Sequence, residues 1–219
     1  MTDVQIAPAI LCYTKEELAH RIAAVPDAHT LHIDIMDGKF VNNTTIGPDV
    51  LASFQFAPDK EIEYHLMVAD PLKFIEALPG GKNKIFQVHL ESVDERQIEG
   101  IRRLVKKKGG RLAWVVNPPT LLEKLEKHLS GTDHVLLMTV NPGWAGQSYI
   151  SDVEEKMRAL RARHPHITIE IDGGIGPTTI PRAIAAGANR FAAASAVFGQ
   201  SDPNAALRGI IRLANPSKP

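Results

Sequence analysis

The chain has 219 residues, of which 44% are hydrophobic and 23% are charged, an ordinary globular composition that argues against a disordered or fibrous protein. Its 25 Lys and Arg residues equal its 25 Asp and Glu residues, so there is no net field to attract nucleic acid or anionic lipid, and neither is expected as a partner. The chain begins without the basic start and apolar stretch of a signal peptide, and no run approaches the roughly 20 apolar residues that span a bilayer. It carries one cysteine, which cannot form an internal disulfide. Together these features predict a cytoplasmic protein.

Eight short apolar runs, separated by segments with helical periodicity, predict strands along the chain. The predicted strands are Ile6–Leu11, Leu31–Ile35, Ile62–Met67, Lys84–His89, Arg111–Val116, His134–Val140, Ile167–Ile171 and Asn189–Ala194. Apolar side chains share one face of the intervening segments, as in a helix: Leu18, Ile22 and Val25 in one segment, and Ile98, Ile101 and Val105 in another.

Strict alternation of strand and helix implies a parallel sheet, and the count of eight favours a closed barrel over an open sheet. The sequence therefore predicts an α/β fold, a single (β/α)8 TIM barrel. No linker or low-complexity stretch divides the chain, so residues 1–214 are predicted to form one domain. Residues 215–219 are predicted to be a frayed tail, because their two prolines prevent the helix from continuing.

Four polar side chains occupy the carboxyl ends of three predicted strands, where a parallel barrel carries its chemistry. His32 and Asp34 lie two residues apart, so both point to one face of the second strand. His65 ends the third strand and Asp172 ends the seventh. Two imidazoles and two carboxylates at one mouth suit a divalent metal such as zinc, iron, manganese or cobalt.

An alternative interpretation is that the histidines are satisfied core residues and that the aspartates are helix caps or structural ion pairs. Each residue alone is compatible with that interpretation. The coincidence of all four at three strand ends favours a functional site.

Glycine-rich strand ends predict a phosphate site, since barrels bind phosphate at the seventh and eighth strand ends through backbone N–H groups and a helix N-terminus. The contributing segments are Asp172-Gly173-Gly174-Ile175, Ala193-Ala194-Ser195-Ala196 and Asn141-Pro142-Gly143-Trp144-Ala145-Gly146-Gln147. Three methionines, Met36, Met67 and Met138, also follow strands and suggest an apolar ceiling over the metal, although methionine is more commonly a core filler.

Five segments together resemble the ribulose-phosphate 3-epimerase family, over residues 6 to about 198. They are Ile6-Ala7-Pro8-Ala9-Ile10-Leu11, His32-Ile33-Asp34-Ile35-Met36-Asp37-Gly38-Lys39-Phe40-Val41, His65-Leu66-Met67-Val68, Met138-Thr139-Val140-Asn141-Pro142-Gly143 and Glu170-Ile171-Asp172-Gly173-Gly174-Ile175. The resemblance implies a TIM barrel of the ribulose-phosphate-binding type.

The resemblance also implies a chemistry, the interconversion of D-ribulose 5-phosphate and D-xylulose 5-phosphate at carbon 3. One divalent metal is expected at His32, Asp34, His65 and Asp172. Asp34 and Asp172 are expected to exchange protons on opposite faces of the substrate, through an enediolate that the metal stabilises. The expected substrate-binding residues are Ala9, Met36, His65, Met67, Met138, Gly143, Trp144, Ala145, Gly146, Gly173, Gly174, Ala194 and Ser195.

The sequence departs from the family pattern around the substrate and not around the metal. Ala9 stands where a serine is usual, Trp144-Ala145-Gly146 replaces Phe-Gly-Gly, and Ala194 precedes Ser195 in place of glycine. Two alternatives therefore stay open: epimerisation of another ketose phosphate such as allulose 6-phosphate, and a catalytically silent barrel that binds a sugar phosphate. Relatives are often homo-oligomers, so self-association is also open.

Overall fold

A computed structural model describes residues 3–144 and 146–216 as a closed barrel of eight parallel strands in sequence order, which confirms the predicted fold. The pairing of β1 with β8 closes the barrel. The strands are β1 (Gln5–Ile10), β2 (Thr30–Met36), β3 (Glu61–Met67), β4 (Lys84–His89), β5 (Arg111–Val116), β6 (His134–Met138), β7 (Thr168–Asp172) and β8 (Arg190–Ala193). All eight predicted strands are present, with ends within two residues of the prediction.

Nine helices surround the strands in the described part of the chain. They are α1 (Lys15–Ala23), α2 (Pro48–Ser53), α3 (Pro71–Ala77), α4 (Glu95–Lys107), α5 (Leu122–Glu126), α6 (Val153–Arg163), α7 (Ile180–Ala186), α8 (Ser195–Phe198) and α9 (Pro203–Ala214). A 3-10 turn, Leu90–Ser92, follows β4.

Helix α4 illustrates how sequence positions these elements. Asp94 and Gln97 form a reciprocal capping box that satisfies the first backbone N–H groups. Ile98, Ile101 and Val105 are buried against the barrel, as the predicted periodicity requires. By contrast, helix α1 ends before Val25, because Pro26 disfavours helical backbone in the preceding residue. Val25 is nevertheless buried.

The two faces of the strands differ in chemistry. Alternate residues such as Ile33, Tyr64 and Phe191 belong to the large apolar core beneath the helices. The residues of opposite parity form the barrel interior, and toward the amino ends of the strands many are polar and buried. These buried polar residues include Thr30, Glu63, Gln87, His134, Glu170 and Arg190. The interior is thus a charged layer beneath the site, where many barrels have branched aliphatic side chains.

The ends of the described chain lie together. The Asn215 side chain accepts a hydrogen bond from Val4 N at 3.0 Å and donates one to Val4 O at 3.0 Å. Residues 217–219 of the predicted tail lie outside the described residues, so the tail and the 1–214 domain boundary stay predictions. Within the described ranges, no helix combines the length and apolarity needed to cross a membrane.

Candidate active site

The strand register brings the four predicted metal ligands together at the mouth of the barrel. Asp34 pairs with His65 across β2 and β3, and Met138 pairs with Asp172 across β6 and β7. His65 Nδ1 lies 3.1 Å from His32 Nε2, 3.1 Å from Asp34 Oδ1 and 3.5 Å from Asp172 Oδ2. His32 Nε2 lies 3.4 Å from Asp34 Oδ1 and 4.0 Å from Asp172 Oδ2.

These four donor atoms fit a divalent cation. All lie within 4.8 Å of one another. Two donors that each sit about 2.1 Å from one ion are about 3.0 Å apart at a right angle and about 3.4 Å apart at a tetrahedral angle, close to the observed separations. The mixed nitrogen and oxygen set therefore can hold a metal ion.

A pair of buried glutamates orients His32 from below. His32 Nδ1 lies 3.1 Å from Glu63 Oε2 and 3.2 Å from Glu170 Oε1, which leaves Nε2 facing the other ligands. Carboxylates that accept the second N–H of a metal-binding histidine fix its tautomer and orientation. Arg190 contacts Glu63 at 2.5 Å and also pairs with Glu61, so the carboxylate charges are compensated.

Sequence reasoning missed Glu63 and Glu170, although a signal was present. Glu63 lies two residues before His65, and Glu170 lies two residues before Asp172. The period of two that places His32 and Asp34 on one face therefore places each glutamate directly beneath a predicted ligand.

A second histidine supports His65. His65 Nε2 lies 2.9 Å from His89 Nε2, and His89 Nδ1 lies 3.4 Å from Glu91 Oε2. Burial lowers the pKa of His89 to about 4, with repulsion from His65 adding to the effect, so this ring is neutral. Burial alone would favour a neutral Glu91, but hydrogen bonds from His89, Thr120 and Asn117 N lower its pKa to about 2. Neither residue was predicted from sequence.

The two aspartates have different proton affinities in the protein without metal. Burial favours the neutral acid in both, but hydrogen bonds to His32 and His65 hold the pKa of Asp34 well below its usual range. Burial and the charge of Asp34 raise the pKa of Asp172 to about 6. Burial opposes the charging of His32, yet hydrogen bonds to Asp34, Glu170 and Glu63 raise its pKa well above the ordinary value.

A pocket opens above this cluster and contains most of the predicted substrate-binding residues. The predicted residues that line it are Asp34, Met36, Met67, Met138, Gly143, Trp144, Gly146, Asp172, Gly173, Gly174, Ala194 and Ser195. Two predicted residues lie below the lining: Ala9 is 2% exposed, with Leu11 of the same strand end reaching the pocket instead, and His65 is fully buried. Ala145 lies outside the described residues.

Backbone conformation shapes the wall of the pocket after β7. Gly173 and Gly174 have φ angles of 115° and 65°, in the left-handed region that favours glycine. A Cβ atom at Gly174 would lie 2.7 Å from the backbone nitrogen of Tyr149. This wall meets α8, which begins at Ser195, so the first N–H groups of that helix lie beside the pocket.

The loop after β2 approaches the loop after β6 across the same mouth. Asn43 donates a side-chain hydrogen bond to Gly143 O at 2.9 Å. Trp144 is 60% exposed beside this contact. The Gln147 amide donates to Asn141 O at 2.6 Å and Trp144 O at 2.9 Å, which braces the second loop.

The sequence is similar to that of known ribulose-phosphate 3-epimerases. The sequence model of the ribulose-phosphate 3 epimerase family matches residues 5–198. The ribulose-phosphate 3-epimerase of Mycobacterium tuberculosis strain H37Rv is 40% identical over 215 residues, which cover 95% of this chain and 92% of the relative. That of Bacillus subtilis is 36% identical over 214 residues, covering 94% of this chain and 98% of the relative.

Solved structures share the barrel at much lower identity. The 3-hexulose-6-phosphate synthase of Salmonella typhimurium superposes with a TM-score of 0.72 and 18% identity, covering 98% of this chain and all of that one (100%). At this identity the likeness is evidence of a common fold alone.

Proposed function

The chain belongs to the ribulose-phosphate 3-epimerase family, whose members are isomerases acting on carbohydrates, and from this premise we propose that it inverts carbon 3 of a ketose phosphate. The proposed reaction is the interconversion of D-ribulose 5-phosphate and D-xylulose 5-phosphate. The single observation that carries the proposal is the meeting of Asp34 and Asp172 with two histidines at the floor of one pocket.

Inversion by proton exchange requires two proton carriers, one for each face of the carbon. Asp34 comes from β2 and Asp172 from β7, and both line the pocket, so a ketose bound between them has a carboxylate on each side. We assign Asp34 to remove the carbon 3 proton and Asp172 to return one to the opposite face. The assignments exchange in the reverse direction, because the same intermediate is reached from the other substrate.

His32, Asp34, His65 and Asp172 would hold the divalent metal, for which zinc, iron, manganese and cobalt are the candidates. When bound, such an ion acts as a Lewis acid that stabilises negative charge developing on the substrate oxygens. Met36, Met67 and Met138 wall the site with apolar side chains and limit water near the exchanging protons.

The phosphate of the substrate is proposed to bind between the loops after β6, β7 and β8. The residues involved would be Gly143, Trp144, Ala145, Gly146, Gly173, Gly174, Ala194 and Ser195. Backbone N–H groups and a helix start bind phosphate without a net positive field, which suits a chain of zero formal charge.

Replacing Ser195 by Ala tests this phosphate site. We expect KM to rise about tenfold with kcat little changed, because phosphate binding is shared by ground and transition states and a hydrogen bond to a charged group contributes about 1.5–3 kcal/mol. Steady-state kinetics would measure both constants, with Ser201→Ala as the matched control outside the pocket wall. A fall in kcat at constant KM would contradict the assignment.

The overall proposal is tested with metal-loaded protein in deuterium oxide. We expect solvent deuterium to enter carbon 3 of D-ribulose 5-phosphate while D-xylulose 5-phosphate accumulates, both measured by NMR. Faster turnover of allulose 6-phosphate would reassign the substrate within the class. Turnover of unphosphorylated ketoses alone would contradict the phosphate site, and no exchange with any sugar or metal would favour a silent binding barrel.

A further inference from the structure

A line of buried polar side chains leads from His65 away from the pocket and takes no part in the proposed proton transfers. His65 Nε2 and His89 Nε2 lie 2.9 Å apart, with the two ring planes inclined by 17°. On the far side of His89, Nδ1 lies 3.4 Å from Glu91 Oε2. The three residues come from β3, β4 and the turn that follows β4.

Proton counting along this line leaves one arrangement when a metal is bound. Two ring nitrogens at 2.9 Å must share a single proton, because two N–H groups or two bare lone pairs would repel. His65 Nδ1 faces Asp34 and Asp172 and is the nitrogen available to the metal, so the proton of His65 lies on Nε2. His89 then accepts at Nε2 and carries its own proton on Nδ1, toward Glu91.

Glu91 is held in place as the terminal acceptor. Its Oε1 atom accepts from Asn117 N at 2.9 Å and from the Thr120 hydroxyl. These bonds hold Glu91 with Oε2 3.4 Å from His89 Nδ1, and within the described residues neither of those two atoms has another hydrogen-bond partner. The carboxylate oxygen that Glu91 presents therefore favours a proton on His89 Nδ1.

The environment of His89 excludes a substitute partner from solvent. The ring is fully buried, and the Phe40 ring lies against it with 4.8 Å between centroids. Phe40 belongs to the loop after β2, which contacts the loop after β6 through Asn43 and Gly143. Because water does not reach His89, the tautomer of His65 depends on the two side chains behind it.

We propose that His89 and Glu91 are positioning residues that form a buried relay, fixing the tautomer and orientation in which His65 presents Nδ1 to the metal. The relay rests on the proposed metal site and extends it to residues that touch neither metal nor substrate. Because His89 accepts the Nε2 proton of His65 and directs its own proton toward Glu91, the relay strengthens His65 Nδ1 as a donor to the metal. It complements the direct carboxylate support that His32 receives from Glu63 and Glu170.

Metal affinity measures the relay without reference to turnover. Zinc dissociation constants would be determined by competition with a chromophoric chelator, and the visible absorption of the cobalt-loaded protein would report ligand geometry. For His89→Phe, which removes the acceptor, we expect affinity to fall about 10- to 100-fold with a shifted cobalt spectrum. Glu91→Gln keeps the size of the side chain and removes its charge, and we expect its zinc affinity to fall about tenfold.

A conservative variant separates the relay from mere packing. His89→Gln keeps an amide oxygen able to accept from His65 Nε2 and should retain more zinc affinity than His89→Phe. The matched controls are His128→Phe and Glu95→Gln. His128 is another buried histidine that faces a glutamate, with His128 Nε2 3.3 Å from Glu95 Oε1, and this pair lies away from the proposed metal site. Both should bind zinc like the unaltered chain, and urea unfolding of every variant would separate a loss of stability from a loss of zinc affinity.

Zinc affinity and a cobalt spectrum unchanged in both His89→Phe and Glu91→Gln would overturn the relay. If His89→Phe does not fold, a zinc affinity and a cobalt spectrum that are unchanged in Glu91→Gln overturn it equally. Failure of the proposed function has a different signature: the unaltered protein binds metal, the variants weaken that binding, and no ketose phosphate exchanges its carbon 3 proton.

Discussion

The residues Asp34 and Asp172 share one pocket floor but sit in different electrostatic surroundings. Asp34 lies within hydrogen-bonding distance of His65 and close to His32, whereas Asp172 is farther from both rings. The charge is therefore concentrated on Asp34, and its repulsion contributes to the raised pKa of Asp172. Two chemically identical side chains thus differ through their neighbours.

Loss of either carboxylate should abolish epimerisation. We expect Asp34→Asn and Asp172→Asn each to lower kcat by at least about 10³-fold, because each substitution removes a proton carrier and weakens a proposed metal ligand. A coupled assay at saturating metal and ribulose 5-phosphate would measure the loss. Asp133→Asn, at an exposed aspartate away from the pocket, is the control. Activity within about tenfold of the unaltered chain in either pocket variant would refute the two-carboxylate assignment.

Metal binding should strengthen as pH rises through neutrality. The pKa of Asp172 is about 6 and that of His32 is raised well above the ordinary value, so protons compete with the metal for both side chains. Below pH 6 both sites are protonated, and affinity should fall about tenfold per pH unit for each proton displaced. Calorimetry in buffers of different ionisation enthalpy would count the protons. Binding at pH 7 without proton release would contradict this expectation.

At the scale of elements, the loops after β6 and β7 depend on backbone shape more than on side chains. The turn at Gly173 and Gly174 lets the chain leave β7 and pass close to Tyr149. A side chain at either glycine would meet both an unfavourable φ angle and a neighbouring residue. The pocket wall therefore exists only where glycine permits the turn.

Replacing Gly174 by Ala tests this dependence. We expect a loss of about 1–3 kcal/mol in unfolding free energy, because the left-handed backbone costs about 1–2 kcal/mol and the added methyl meets the Tyr149 backbone. Urea unfolding would measure the loss, and KM should rise as the wall shifts. Gly176→Ala is a matched control, since its Cβ would meet nothing within 4 Å. Equal stability of the two variants would show that the turn is not strained by a side chain.

At the scale of the whole molecule, the barrel carries a charged interior that extends from its base to the proposed metal site. Arg190 of β8 pairs with Glu61 and Glu63, and Glu170 accepts hydrogen bonds from Gln87 at 2.6 Å and pairs with His134 at 2.7 Å. Burial disfavours charge on Arg190, but these carboxylates hold its pKa above the ordinary value. The interior is thus a compensated ion network rather than an apolar plug.

Arg190→Met should destabilise the barrel more than a surface substitution. Removing one partner of a buried ion network leaves uncompensated charge and costs about 3–5 kcal/mol. Urea unfolding of the metal-free protein would measure the cost, with Arg103→Met on the exposed face of α4 as the control. Metal affinity should fall as well, because Glu63 and Glu170 would no longer be held beneath His32. Equal unfolding free energies for the two variants would contradict the network.

Sequence alone determined the barrel. Its eight apolar runs have the pattern of buried parallel strands, and the segments between them have the apolar spacing of helices that cover a sheet. It also predicted His32, Asp34, His65 and Asp172 as metal ligands, since polar residues at strand ends interrupt an otherwise apolar pattern, and the structure brings their donor atoms within 4.8 Å of one another. The tertiary structure decided what supports them. The period of two places Glu63 and Glu170 on the inner face of their strands, but their contacts with His32 depend on barrel register, which no local pattern encodes. The contacts of His89 and Glu91 depend on register in the same way. The tertiary structure also placed Leu11 rather than Ala9 at the pocket lining. Whether a residue lines the pocket depends on how far its strand extends toward the mouth of the barrel and on which side chains cover that residue.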